Sequence, residues 1–379
     1  LQVRQRRRRI VAFQLQCAQE VSDGHVSGGR GMQMSQALDG LVPLSPAMQQ
    51  HGLADGLVEF PGCSGLHPLL NREVAPWQDG PDYIAAVRRF EEIQVKQTHG
   101  RAVMVTGCSS GIGRCAANGL RARGYRVFAT ARRDQDLARL AAEGLEAVRL
   151  DLADSESIAS AAGQVLDMTG GRLFALFNNA AYGQPGAVED LPRAALREQF
   201  ETNLFGTHEL TCHFIPAMRA RGEGRIIQNS SILGLVAMPY RGAYNASKFA
   251  LEGLSDTLRQ ELSGTGIHVV LIEPGPVLSR FRANALAAFR RHVDPTAGFH
   301  AGIYQAMLKR LEAEGAVAPF TLPPEAVLRQ LVRALEARRP RTRYPVTVPA
   351  VTFSWLRRFL PARWMDRMLA GELRATPKG

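Results

Sequence analysis

Between residues 101 and 348 the chain alternates two hydrophobic patterns. Short apolar runs centred near Val103, Val127, Val148, Phe174, Ile226, Val269 and Tyr344 have the length and bulk of buried strands. Between them, apolar residues recur every three or four positions in 114–123 and around Leu137, Ile158, Leu196, Leu251 and Val327. That spacing predicts amphipathic helices. Strand and helix in regular alternation predict one α/β domain over 98–348, a doubly wound parallel sheet with helices on both faces, whose ligands gather at the carboxyl ends of the strands. The flanks read differently. Residues 1–97 hold neither period, so they are expected to be a largely disordered extension or a product of start-site choice, with 81–92 the best stretch for a helix. Residues 349–379 interleave Val, Phe, Trp, Leu and Met with arginine and predict an amphipathic tail. It is expected to pack on the substrate loop or a partner subunit, and peripheral contact with a membrane surface is the other reading.

The first strand runs straight into Thr106-Gly107-Cys108-Ser109-Ser110-Gly111-Ile112-Gly113 and then an amphipathic helix. Glycines there let the backbone turn tightly and approach a pyrophosphate, while the helix N-terminus offers N–H groups and a partial positive charge. Strand, glycine turn and helix form the opening unit of a dinucleotide-binding fold. Far downstream, Tyr244 and Lys248 stand one helical turn apart, and Ser231 follows another apolar strand. A phenol is a weak acid at neutral pH, so a cation on the same helix face would favour its charged form. A serine hydroxyl from a separate strand could then hold a carbonyl oxygen beside it.

Taken together, Thr106-Gly-x-x-x-Gly-Ile-Gly113, Asp151-Leu152, Asn178-Asn179-Ala180, Asn203, Ser231, Tyr244-x-x-x-Lys248 and Pro274-Gly275 resemble the short-chain dehydrogenase/reductase family, over residues 101–273 most clearly. The resemblance implies a single Rossmann-like domain in which Ser231, Tyr244 and Lys248 are catalytic and Asn203 completes a proton relay through water. It also implies that Thr106, Gly107, Ser109, Ser110, Gly111, Ile112, Gly113, Asp151, Leu152, Asn179, Ala180, Pro274, Gly275, Val277 and Ser279 surround a nicotinamide cofactor, with Tyr244 and Lys248 at its ribose. The helices carrying Asn203 and Tyr244 commonly pair subunits in that family, which implies a homodimer or homotetramer. Two positions depart from its pattern. Ala181 stands where glycine often ends the Asn-Asn-Ala motif, narrowing the nicotinamide end, and Ser279 replaces a common threonine. Asp151 is placed by resemblance at the adenine, and by position it could equally cap the helix beginning near Ser155.

Cofactor choice rests on the end of the second strand, where Ala131 is followed by Arg132 and Arg133, with no acid about 20 residues after the glycine turn. An acid would bond a ribose 2′-hydroxyl and repel a 2′-phosphate, whereas arginines pair with that phosphate. NADP(H) is therefore expected. The net charge of +11 suggests nucleic acid at first sight, but only Lys96, Lys248, Lys309 and Lys378 among 46 basic residues are lysine, and the charges are dispersed. That bias looks compositional, no base-stacking aromatic surface accompanies it, and nucleic-acid binding is not expected. Cys17, Cys63, Cys108, Cys115 and Cys212 lack metal-ligand or redox spacing, which fits a reducing cytoplasm and no metal site. No apolar run reaches the length of a membrane span, and Ile10-Val11-Ala12-Phe13 is too short for a secretory signal after Arg6-Arg7-Arg8-Arg9.

Tyr182, Gln184, Leu233, Leu235, Met238, Tyr240 and Pro276, with the segment 280–320, are the candidate substrate contacts. Their apolar character favours a small hydrophobic carbonyl or alcohol. Details such as Arg343-Tyr-Pro-Val-Thr and Ile272-Glu-Pro-Gly-Pro resemble bacterial NADPH-dependent aldehyde reductases, with steroid and retinol dehydrogenases more distant. Aldehyde reduction is the first expectation, a hydroxysteroid or retinoid alcohol the second, and a non-catalytic NADP(H)-binding sensor or scaffold a third. A sugar epimerase would need a differently spaced glycine motif and a larger C-terminal domain.

Overall fold

The computed structural model describes residues 100–313, 315, 316 and 318–374. The N-terminal extension and its expected helix at 81–92 lie outside the described residues. Seven strands form one parallel sheet: β1 (Ala102–Val105), β2 (Arg126–Ala131), β3 (Glu146–Arg149), β4 (Leu173–Asn178), β5 (Gly224–Asn229), β6 (Ile267–Glu273) and β7 (Arg343–Pro345), in the order β3-β2-β1-β4-β5-β6-β7. Every pairing is parallel. The central strands are buried along their whole length, because helices cover both faces and no side of the pleat meets water.

Successive residues of β1 go to opposite layers. Val103 and Val105 join Ala116, Ala117 and Leu120 of α1 (Gly111–Ala122), Leu140 of α2 (Asp134–Ala142), and Val327 and Leu331 of α9 (Glu325–Glu336). Met104 joins the other layer. There it packs with Ile158 and Val165 of α3 (Ser155–Thr169), Leu210 and Phe214 of α5 (Gly206–Arg221), and Leu258 near the end of α6 (Gly242–Glu261). α4 (Arg193–Phe200) leads into a five-residue π-helical turn, Glu201–Phe205, before α5. Beyond β6 come α7 (Phe281–His292) and α8 (Ala301–Glu312), and after β7 come α10 (Val348–Phe359) and α11 (Ala362–Arg374).

The cap of α3 corrects one sequence alternative. Asp154, not Asp151, accepts from the backbone N–H groups of Glu156 (3.0 Å) and Ser157 (3.4 Å). Asp151 instead accepts from the Ala153 N–H at 3.1 Å and stays at the cleft edge. Strand order reverses between β1 and β4, and the crevice opened there is where a doubly wound sheet binds ligands.

Candidate active site

Thr106 ties the two sides of that crevice together. Its hydroxyl oxygen accepts from the backbone N–H groups of Asn179 (2.8 Å) and Ala180 (2.9 Å), while the Asn179 amide donates to the Thr106 carbonyl at 2.8 Å. Asn229 at the end of β5 donates to Asn179 at 2.9 Å, so three strand ends are locked in one register. Thr106 and Asn179 thus hold the turn in shape.

Two glycines in that turn admit no side chain. Gly107 has φ +72°, and a Cβ there would meet the Ala180 Cα at 2.8 Å. At Gly113 a Cβ would lie 2.3 Å from the Gly107 carbonyl oxygen, so α1 could not approach β1 as it does. Ser110 precedes α1 with extended backbone, and neither a side-chain cap nor an acid occupies the first turn. The N–H groups of that turn therefore face the cleft without an internal anion, as a pyrophosphate requires. This cradle fits a dinucleotide. Cys108 beneath it is fully buried, its thiol pushed up to about 12 by desolvation, which suits a packing residue and not a nucleophile.

The three catalytic candidates converge at the ends of β5 and α6. The Ser231 hydroxyl, beside Tyr244 and favouring its charged form, accepts from the Leu233 N–H at 3.1 Å. Lys248 is 3% exposed; its ammonium donates to the Asn229 carbonyl at 2.7 Å and sits 5.8 Å from the centre of the Tyr244 ring. The expected depression of the tyrosine by this lysine is not the dominant effect among the protein's groups. Burial pushes the phenol up to about 12 and brings the ammonium down to about 8, because each charged form loses solvation.

Asn203 occupies the π-helical turn, where the wider coil aims it inward. Its amide donates to the Tyr182 carbonyl at 2.9 Å and to the Ser247 hydroxyl at 3.2 Å, and its oxygen accepts from the Tyr182 N–H at 3.1 Å. The strip after β4 is thereby fixed to the helix that carries Tyr244.

A cleft of about 1040 Å³ runs past these groups. Of the sequence-predicted residues, Gly107, Ser109, Ser110, Gly111, Ile112, Arg132, Asp151, Leu152, Asn179 and Ala180 line it. So do Tyr182, Ser231, Leu233, Met238, Tyr244, Lys248, Pro274, Gly275, Pro276, Val277 and Ser279. Thr106, Gly113 and Asn203 lie behind its wall as supports. Arg132 and Arg133 part company: Arg132 lines the cleft, whereas Arg133 pairs with Asp136 at 2.8 Å.

Tyr240 corrects another expectation. It takes φ +59°, its hydroxyl meets His300 at 3.1 Å, and it packs with Tyr304 away from the cleft. Gln184 and Leu235 are likewise off the lining, and the Gln184 amide donates to the neighbouring Pro185 carbonyl at 2.8 Å.

Other residues take the vacated roles. Phe281 stands edge-on to Tyr244 at 5.2 Å, and Phe353, Met368 and Leu369 from the last two helices line the same wall. Phe353, Leu356, Leu360, Met365 and Leu369 join Leu233, Val236 and Tyr244 in one apolar cluster. The helical spacing of those five residues was the available signal. Behind the site, Arg343 of β7 bonds Glu252, Glu273 (2.6 Å) and Asp256 (2.7 Å), a cluster missed in the sequence.

A glycine cradle at the switch point, with tyrosine, serine and lysine at the neighbouring strand ends, defines a nicotinamide-dinucleotide oxidoreductase. The family model described as short chain dehydrogenase matches residues 101–288. The chain is 41% identical over 280 residues to "Uncharacterized oxidoreductase YbbO" of Escherichia coli (strain K12), covering 74% of this chain and 98% of that protein. It is 29% identical over 282 residues to "NADPH-dependent 3-dehydrocapnine reductase" of Ornithobacterium rhinotracheale, covering 72% and 98%. A solved short-chain dehydrogenase from Streptomyces avermitilis superposes with TM-score 0.58 at 29% identity, over 73% of this chain and 98% of that one. The chain belongs to the short-chain dehydrogenase family and is an oxidoreductase that uses NAD or NADP.

Proposed function

We propose that this protein is an NADPH-dependent carbonyl reductase whose preferred substrates are hydrophobic aldehydes. The observation that carries the reading is the buried Ser231–Tyr244–Lys248 group set against an apolar wall of Leu233, Met238, Phe281, Phe353 and Leu369. When bound, the dinucleotide supplies or accepts the hydride. The cradle 106–113, Asp151, Leu152, Asn179, Ala180 and 274–279 would hold it. Arg132 at the cleft edge, with no acid beside it on β2, favours a 2′-phosphate by charge-assisted pairing.

Tyr244 gives its proton to the carbonyl oxygen. A phenol held near 12 is protonated at neutral pH, so it stands ready as the acid, and Ser231 steadies the same oxygen by hydrogen bonding. Lys248, bonded to the Asn229 carbonyl, supplies positive charge behind the tyrosinate that forms. Asn203, through the Tyr182 backbone, holds the strip along which the proton is restored. Apolar residues from both α7 and the 349–369 region lengthen the cleft wall, which favours a bulky hydrophobic ketone or alcohol as the second substrate class.

The test is NADPH oxidation across aliphatic and aromatic aldehydes, retinal and ketosteroids, with NADH as control. Tyr244→Phe is expected to lose about 10²-fold or more in turnover while keeping NADPH affinity. Near-normal turnover in that variant, or faster oxidation of NADH than NADPH by the wild type, would overturn the assignment it addresses.

A further inference from the structure

Helix α10 is apolar on two faces. At about 100° per residue, Phe353, Leu356 and Leu360 form the stripe packed toward Tyr244 and Leu233. Val348, Val351, Trp355 and Phe359 form a second stripe centred about 130° round the helix, at 59%, 41%, 54% and 74% exposure. A surface helix ordinarily has one apolar stripe and buries it. Helix α11 repeats the arrangement, with Met365 and Leu369 buried while Trp364 and Met368 are exposed.

The chemistry of the outer stripe is specific. The Trp355 and Phe359 rings stack at 6.4 Å, Arg358 lies 5.9 Å from the Trp355 ring, and Arg367 lies 5.8 Å from Trp364. Across 348–369 four arginines accompany a single carboxylate, Asp366. Indole and phenyl rings backed by guanidinium groups match the boundary between acyl chains and anionic headgroups.

We propose that the outer face of α10 and α11 docks on an anionic lipid surface. Among the described residues no helix is long and apolar enough to cross a membrane, so the contact is peripheral. Charge selects this occupant over a second copy of the chain, because a two-fold contact through the face would set its arginines against the same arginines. The inner sides of the two helices line the cleft through Phe353 and Leu369. Docking would therefore bring the apolar wall of the cleft beside the acyl phase.

The test uses the full chain and reads binding, not turnover, so it stands or falls separately from the carbonyl-reductase reading. The protein is co-sedimented with vesicles of phosphatidylcholine alone and of phosphatidylcholine with phosphatidylglycerol. Binding is expected to the anionic vesicles, weakening at least about tenfold in Trp355→Ser/Phe359→Ser and in Arg358→Gln/Arg367→Gln. It is also expected to fall in roughly 0.5 M salt, where screening shortens the reach of the arginines. All four side chains are exposed, and unchanged melting temperatures would show the variants folded. Three results overturn the proposal. They are no binding to anionic vesicles, equal binding by wild type and both variants, which would move the contact to the arginine run at 6–9, and self-association lost in the variants without lipid binding by the wild type.

Discussion

Replacing Arg343 by methionine removes the one guanidinium that Glu252, Glu273 and Asp256 share. Glu273 is 1% exposed and Glu252 6%, so neither carboxylate can turn to water for compensation. Burial, with repulsion from Glu252, already raises Glu273 to about 7. A carboxyl raised in the folded state stabilises most below its unfolded value of about 4.3. That contribution is lost as pH rises through the folded pKa, near 7 here. Arg343 limits the loss by pairing with the charge. Without it the loss deepens, and stranding a buried ion is expected to cost about 3 kcal/mol at pH 8. For a folded body of this size that is a fall of roughly 6–12 °C in melting temperature. At pH 5 the raised carboxyls, Glu273 foremost and Glu252 with it, take up protons, so the deficit should shrink to less than about half. The assay is a pair of thermal melts, wild type against Arg343→Met, at each pH. An equal deficit at both, or none at pH 8, would refute the electrostatic account of the cluster.

Three further outcomes are expected. Gly113→Ala forces a Cβ against the Gly107 carbonyl, and an overpacking cost of about 1–3 kcal/mol should weaken NADPH binding about ten- to hundredfold by fluorescence titration; wild-type affinity would contradict the cradle. Lys248 is depressed to about 8 by burial, so between there and its unfolded value near 10.4 the unfolded chain binds more protons and stability rises with pH. Lys248→Met should lack that rise in chemical denaturation at pH 8 and 10, and parallel behaviour of the two proteins would count against it. Asp154→Ala should cost about 1 kcal/mol through loss of the α3 cap, whereas Asp151→Ala should cost less in the same melts.

The sheet was legible because its strands are continuous apolar runs, and the glycine turn and the Tyr244–Lys248 pair because their chemistry is compressed into a few adjacent positions. Other features need the third dimension. Arg343 meets Glu252 and Glu273 across 91 and 70 residues, a separation that no local pattern encodes. Asp151 and Asp154 are chemically alike, and only backbone geometry decides which one caps. Tyr240 is an aromatic residue next to the site by number, but its left-handed φ turns it toward His300. The lysine was read as a cation tuning its neighbour, which neglected the desolvation that both groups suffer. The double-faced apolar pattern of 348–360 was visible as interleaved residues, yet which stripe would be covered depended on where α10 lands.

The π-helical turn at Glu201–Phe205 makes the helical segment around Asn203 a phase-shifted one. α4 and α5 each keep their own contacts, and the misfit between their windings is concentrated where the asparagine points inward. Deleting one residue from the turn would let the coil run on regularly with the two halves close to their present phase, because the wider turn absorbs one extra residue. With α5 anchored by Leu210, Phe214 and Met218 and Gln199 held on the Tyr182 carbonyl, both flanks would keep their contacts, and the loss would fall on Asn203, drawn back from the Tyr182 backbone. The site thus depends on a dislocation in a helix, a property of residue count that no substitution at Asn203 could report.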